Sequence, residues 1–98
     1  MNNRMDSSPA SSWTFLSNHA HVMILLSRDC DMRMRDMAAA IGITERAVQR
    51  IVSELVSEGY LDVVKEGRRN HYTIRSDQHL RHPVEDGVAI DALLRLIA

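Results

Sequence analysis

Arg35-Asp36-Met37-Ala38-Ala39-Ala40-Ile41-Gly42-Ile43-Thr44-Glu45-Arg46-Ala47-Val48-Gln49-Arg50-Ile51-Val52-Ser53-Glu54-Leu55 decides the fold. Asp36 can cap a small apolar helix over 37–41. Gly42 then stands where the chain must turn with positive φ, a conformation cheap only for glycine. Thr44 supplies an N-cap oxygen for a second helix, and Glu45 in its first turn favours the positive end of the dipole. That helix runs to about Glu58 and stops at Gly59. Projected at ~100° per residue, Ala47, Val48, Ile51, Val52, Leu55 and Val56 fall on one side. Arg46, Gln49, Arg50, Ser53 and Ser57 fall on the other, so one face is core and one is free.

On the C-terminal side, Tyr60-Leu61-Asp62-Val63-Val64-Lys65 and His71-Tyr72-Thr73-Ile74-Arg75 are β-rich runs joined through Gly67-Arg68-Arg69-Asn70. They predict an antiparallel hairpin with glycine in its loop. The segment 76–83 reads as irregular and closed by Pro83, and Val88 to Ile97 as a last helix. On the N-terminal side, Met32-Arg33-Met34-Arg35 alternates apolar and charged residues, as a very short half-buried strand would. Ser17 is the expected N-cap of a first helix through about Ser27, followed by the turn Arg28-Asp29-Cys30-Asp31. Residues 1–12 hold two Asn, four Ser and one Pro with no apolar period and read as a flexible tail.

The chain's 98 residues allow one small domain and no separate ligand-binding domain. Hydrophobic residues make up 45% and charged ones 26%, ordinary for a globular chain, and the net charge is -1. Such a balance does not coat DNA indiscriminately, so any nucleic-acid site must come from local charge placement. Cys30 is the one cysteine, which excludes an intramolecular disulfide and a Cys-pair metal site and suggests a reducing, cytoplasmic setting. The longest apolar run, Val22 to Leu26, is far too short to span a membrane.

Helix, glycine turn, helix and basic hairpin together predict a mainly α fold with a small β-hairpin: a winged helix-turn-helix, three-helix core plus wing, with an added C-terminal helix. The expected organisation is a tail over 1–12, a DNA-binding domain over 13–83 and a dimerising helix over 84–98. In a helix-turn-helix the second helix lies in the major groove and its N-terminal residues touch base edges. Arginine pairs there with guanine O6 and N7, and glutamine with adenine N6 and N7. Arg46, Gln49 and Arg50 suit that task, with Thr44 and Ser53 reaching phosphates or bases at the ends. From Lys65 to Arg75 four positive residues (Lys65, Arg68, Arg69, Arg75) stand against Glu66 alone. Lys65, Arg68, Arg69, Asn70 and His71 are therefore the expected wing contacts, on the backbone or in a narrow minor groove. Glu45, Glu54 and Glu58 share the recognition helix and argue against tight non-specific binding.

The chain resembles the winged helix-turn-helix regulators of the MarR and ArsR type, small bacterial proteins. The resemblance rests on Asn18-His19-Ala20-His21-Val22, on Ile43 to Val52, on Glu58-Gly59-Tyr60-Leu61 and on Gly67-Arg68-Arg69-Asn70-His71-Tyr72. It extends from about Ser17 to Pro83. It implies a sequence-specific DNA-binding transcriptional regulator that is no enzyme, with its recognition helix over about 44–58 and its wing over about 61–75.

The last helix is apolar on nearly all sides, with only Asp91 and Arg95 polar. It needs covering from two directions, which predicts a homodimer built on Trp13, Phe15, Leu16, Ile90, Leu93, Leu94 and Ile97. No cofactor and no metal are expected: His19 and His21, and His79 and His82, have no cysteine or carboxylate cluster beside them in sequence. A small-molecule effector at the dimer interface is left open, with no residue to support it. No nucleophile–base pair or phosphate-cradling glycine loop is present in the sequence. The rival reading is a winged-helix protein-interaction module that never touches DNA, favoured by the near-neutral charge and the acidic residues on the recognition helix.

Overall fold

The computed structural model describes residues 13–97, and the tail expected over 1–12 lies outside them. The elements run α1 (Asn18–Arg28), α2 (Met34–Ile41), α3 (Glu45–Ser57), β1 (Leu61–Glu66), β2 (Arg69–Ile74), a single 3-10 turn (Pro83–Glu85) and α4 (Ile90–Ile97). This is the expected three-helix core with a two-stranded wing and one further helix.

Local chemistry sets the boundaries of the central helices. Ser17 caps α1 by accepting from the Ala20 N–H, and Thr44 caps α3 by accepting from the Ala47 N–H at 3.0 Å. Gly42 closes α2 at φ +87°, with the Gly42 and Ile43 N–H groups both donating to the Ala38 carbonyl. A side chain at Gly42 would be strained by the left-handed backbone although nothing crowds the position. The α2–α3 turn is thus closed by backbone bonds and a hydroxyl, leaving the orientation of α3 to its buried face.

One core joins the four helices and the wing. Val22, Met23, Ile24 and Leu26 of α1 meet Met37 and Ala38 of α2 and Val48, Ile51, Val52 and Leu55 of α3. Leu61 and Tyr72 bring in the wing, and Ile90 and Leu94 bring in α4. No polar or charged residue is buried among the described residues. Ile51 and Leu61, at 2% and 1% exposure, each stabilise the fold by about 1.5–3 kcal/mol.

The structure differs from the expectations in several places. Met32–Arg35 is not a strand, because α2 already begins at Met34. Met34, Met37, Ala38 and Ile41 form an i, i+3, i+4, i+7 stripe, and the alternation over 32–35 was only the start of that helical period. Asp36 is accordingly not the cap: Arg33 occupies that position without a side-chain bond, and Asp36 sits in the first turn. The wing loop is shorter than expected, since Arg69 and Asn70 are in β2 and pair with Glu66 and Lys65. Only Gly67 and Arg68 remain outside the strands, with Gly67 at φ +65° and Arg68 not positive, the pattern of a type II′ hairpin.

The last helix starts at Ile90 rather than Val88. Residues 76–89 fold back on themselves through the bridge His79↔Ala89, and the Ile90 N–H donates to the Gln78 carbonyl. Pro83 opens a 3-10 turn here rather than closing the segment. The Tyr60 hydroxyl donates to the His79 carbonyl at 2.6 Å and fastens this return to the end of α3. As a result α4 packs one face on α1 and is amphipathic: Ile90 and Leu94 are buried, Leu93 and Ile97 half-buried, and Leu96 is 83% exposed.

Candidate nucleic-acid interface

The free face of α3 is as expected from its period. Arg46, Gln49, Arg50 and Ser53 are exposed, while Val48, Ile51, Val52 and Leu55 anchor the opposite side. Arg46 and Gln49 make no side-chain hydrogen bond or ion pair among the described residues. Their donors are therefore free for a ligand. Thr44 is exposed too, but its hydroxyl is engaged in capping α3.

Two of the three acidic residues on this helix, Glu54 and Glu58, are held by neighbours, while Glu45 lies in the first turn beside Arg46. Glu54 accepts from His19 Nε2 at 2.7 Å and lies 3.5 Å from Arg50 Nη1 on the next turn. The His19 hydrogen bond, helped by the lesser pull of the Arg50 and His19 charges, holds the Glu54 carboxyl below the usual glutamate range against the opposing effect of burial. Glu58 lies 3.7 Å from Arg81 of the returning segment. Glu54 thus sits in the second half of α3 and Glu58 at its C-cap, both away from Arg46 and Gln49.

The expected wing contacts divide into two groups. Lys65 and Arg68 are exposed, with Arg68 in the tip. Arg69 instead donates to the Asp31 carbonyl of the α1–α2 turn. Asn70 donates to the Tyr72 hydroxyl at 3.2 Å, and His71 Nδ1 meets the Asp31 carboxylate at 2.8 Å. That carboxylate, chiefly through the hydrogen bond, holds the His71 imidazole above its usual range. Arg75 pairs with Asp62 across the hairpin at 3.3 Å. Two of the five expected contacts thus face outward freely, and three have polar atoms committed within the chain.

Two features escaped the sequence reading. A cleft of about 150 Å³ between the wing and the start of α2 is lined by Arg33, Arg68 and Arg69, which adds Arg33 to the cationic surface. Its only signal in the sequence was the charge beside Met34. The second is the gathering of Cys30, Asp31 and His71, whose ligating atoms all lie within 4.8 Å of one another. A pairing 41 residues apart leaves no local signature.

A larger cleft, about 730 Å³, runs between α1, the end of α3 and the returning segment with α4. Ser53 lines it together with His19, Met23, Tyr60 and Leu94, so this candidate contact borders the cleft as well as the free face. Of the expected interface residues, Ile90 and Leu94 are already buried in the chain's own core. Leu16, Leu93 and Ile97 are half-buried, while Trp13 and Phe15 stand out at 68% and 93% exposure with their rings edge to face at 5.0 Å. No helix among the described residues is long and apolar enough to cross a membrane.

Residues 18–62 match the family model of winged helix-turn-helix DNA-binding domains. No curated protein matches the chain. Among solved structures it is similar to the Adhesin competence repressor (AdcR) from Streptococcus pyogenes, at TM-score 0.58 and 16% identity, over 95% of this chain and 61% of that one. The chain thus spans about three fifths of that repressor's length. It overlaps less with the zinc-dependent MarR family transcriptional regulator AdcR in the Zn(II)-bound state: TM-score 0.47, 22% identity, 65% of this chain and 46% of that one. Helix order, wing and family match agree that the chain carries a winged helix-turn-helix fold.

Proposed function

We propose that the protein is a sequence-specific DNA-binding transcriptional regulator acting as a homodimer. The observation that carries this reading is the free face of α3, where Arg46 and Gln49 offer unpaired donors in the first two turns. Arg46, Gln49 and Arg50 read base edges in the major groove, each good bidentate pair discriminating by about 1–3 kcal/mol. Lys65 and Arg68, with Arg33 and Arg69 lining the neighbouring cleft, contact phosphates and hold the register. A two-fold dimer through the exposed apolar residues near α4 would offer two such helices to a pseudo-palindromic site.

Fluorescence anisotropy against genomic fragments from the native host tests the reading. Arg46→Ala/Arg50→Ala should cost about 2–6 kcal/mol of specific affinity if both arginines make bidentate pairs. Binding that survives the double substitution would sink the assignment of α3. The pairing of Arg50 with Glu54 favours the rival protein-interaction module, and a wild-type chain that binds no fragment at low salt would overturn the DNA reading and favour that rival.

A further inference from the structure

The turn between α1 and α2 meets the wing at one place. The Tyr72 N–H donates to the Cys30 carbonyl at 3.0 Å, and Arg69 donates to the Asp31 carbonyl. These bonds lock strand β2 against the turn, and they present three side chains to a common point. His71 Nδ1 lies 2.8 Å from Asp31 Oδ1 and 3.8 Å from Cys30 Sγ. One imidazole nitrogen therefore meets both a carboxylate and a thiol, and it cannot donate to the first while accepting from the second.

We infer that Cys30, Asp31 and His71 form a Zn(II) site that fastens the wing to the α1–α2 turn. Zinc takes thiolate, imidazole and carboxylate ligands, with Zn–S of about 2.3 Å and Zn–N of about 2.0–2.1 Å in a tetrahedron. Those bond lengths put the sulfur and nitrogen of a zinc site roughly 3.6 Å apart, close to the 3.8 Å between Cys30 Sγ and His71 Nδ1. The Asp31 oxygen is nearer than a tetrahedral edge requires, and its side chain, 52% exposed, has room to withdraw. Three protein ligands leave a fourth position, which opens to solvent because Asp31 and His71 are both partly exposed.

Binding releases the Cys30 thiol proton to solvent and displaces the Nδ1 proton of His71. That proton passes to Nε2 when the ring is neutral and to solvent when it is cationic, so that Nε2 keeps a proton and Nδ1 takes the metal. The borderline-soft thiolate and imidazole select zinc over magnesium or calcium, which take oxygen ligands. The turn and β2 are distant in sequence, so the ion closes a long loop and acts on the placement of the wing. Its ligands are not the outward donors of α3 or the Arg68 tip.

Cobalt(II) titration of the chelator-treated full chain reads the site directly, because a thiolate ligand gives a near-ultraviolet charge-transfer band and a tetrahedral ion gives intense visible bands. One ion per chain with both signatures is expected, displaced by zinc. Losing even an outer partner of a metal ligand costs about 10–100-fold in affinity, so Cys30→Ser and His71→Asn should each weaken zinc by at least that much in a competition with a chromophoric chelator. His79→Asn/His82→Asn should retain the wild-type affinity. Far-UV circular dichroism and the thermal midpoint without metal establish that each variant folds, and added zinc should raise the midpoint of wild type but not of Cys30→Ser. Cobalt bound without the thiolate band, zinc bound as tightly by folded Cys30→Ser, or no binding by wild type would each overturn the site.

Discussion

Helices α3 and α4 both bury one face in the same core, yet their outer faces differ in kind. On α3 the outer residues are Arg46, Gln49, Arg50 and Ser53, long or multivalent hydrogen-bonding groups. On α4 the outer surface holds Leu96, with Asp91 and Arg95 paired to each other at 2.8 Å. The polar groups of α4 satisfy one another and its apolar group is left in water, whereas Arg46 and Gln49 on α3 are left unpaired. The difference teaches that burial alone does not assign a surface. What separates the two helices is the chemistry left unsatisfied, hydrogen bonds on one and apolar area on the other, and each asks for a different partner.

The largest effect should come from reversing the two faces of α3. Ile51→Ala removes a side chain at 2% exposure and should destabilise the fold by about 2–5 kcal/mol. Gln49→Ala should stay within about 0.5 kcal/mol of wild type in stability while lowering DNA affinity. Urea unfolding of both variants beside anisotropy checks the pair. Equal stability losses would mean that Gln49 is structural and that the helix has no free face.

Charging the outer apolar residues tests the other side of the comparison. Leu96→Glu and Phe15→Glu replace side chains at 83% and 93% exposure, so the isolated fold should tolerate them. If those residues are covered by a second copy, each variant should weaken the dimer by about tenfold or more, as losing one buried large apolar side chain implies. Sedimentation equilibrium over a range of concentrations distinguishes this from a wild type that is monomeric throughout, the outcome that ends the interface proposal.

The smallest effect concerns the acid partner on α3. The carboxyl of Glu54 is held below its ordinary value in the fold, so its contribution is present above the unfolded value and is lost as pH falls through the folded one. Acidification should release His19 and Arg50 from Glu54 with little change in stability, because the group is exposed. Carboxyl-detected NMR titration should show His19→Gln moving Glu54 back towards its usual range further than Arg50→Ala does. The reverse order would mean that Arg50, rather than His19, restrains this carboxylate.

The parts of the fold legible in the sequence were those written over a few neighbouring residues. Gly42 and Thr44 mark the α2–α3 turn because a positive φ and a cap oxygen each act within one helical turn. The two faces of α3 followed from its period for the same reason. Met34 was misread because four alternating residues are shorter than the repeat that tells helix from strand. The start of α4 was misread because Val88 and Ala89 are apolar in composition but are held by Leu80 and His79, contacts that hydrophobic periodicity does not carry. The commitment of Arg69 and His71 to Asp31 lay further out of reach, since it depends on where the wing lands after the chain has travelled through α2 and α3.

The two-residue hairpin turn has a thermodynamic consequence. Six residues per strand at about 3.3 Å each make an arm roughly 20 Å long, and Arg68 rides at its end with no slack loop to immobilise. A long wing loop would lose its freedom when it met a phosphate, and affinity would fall by that entropy. Here most of that ordering occurs at folding, before any partner arrives. Lengthening the turn with flexible residues would keep every charge and still lower the affinity.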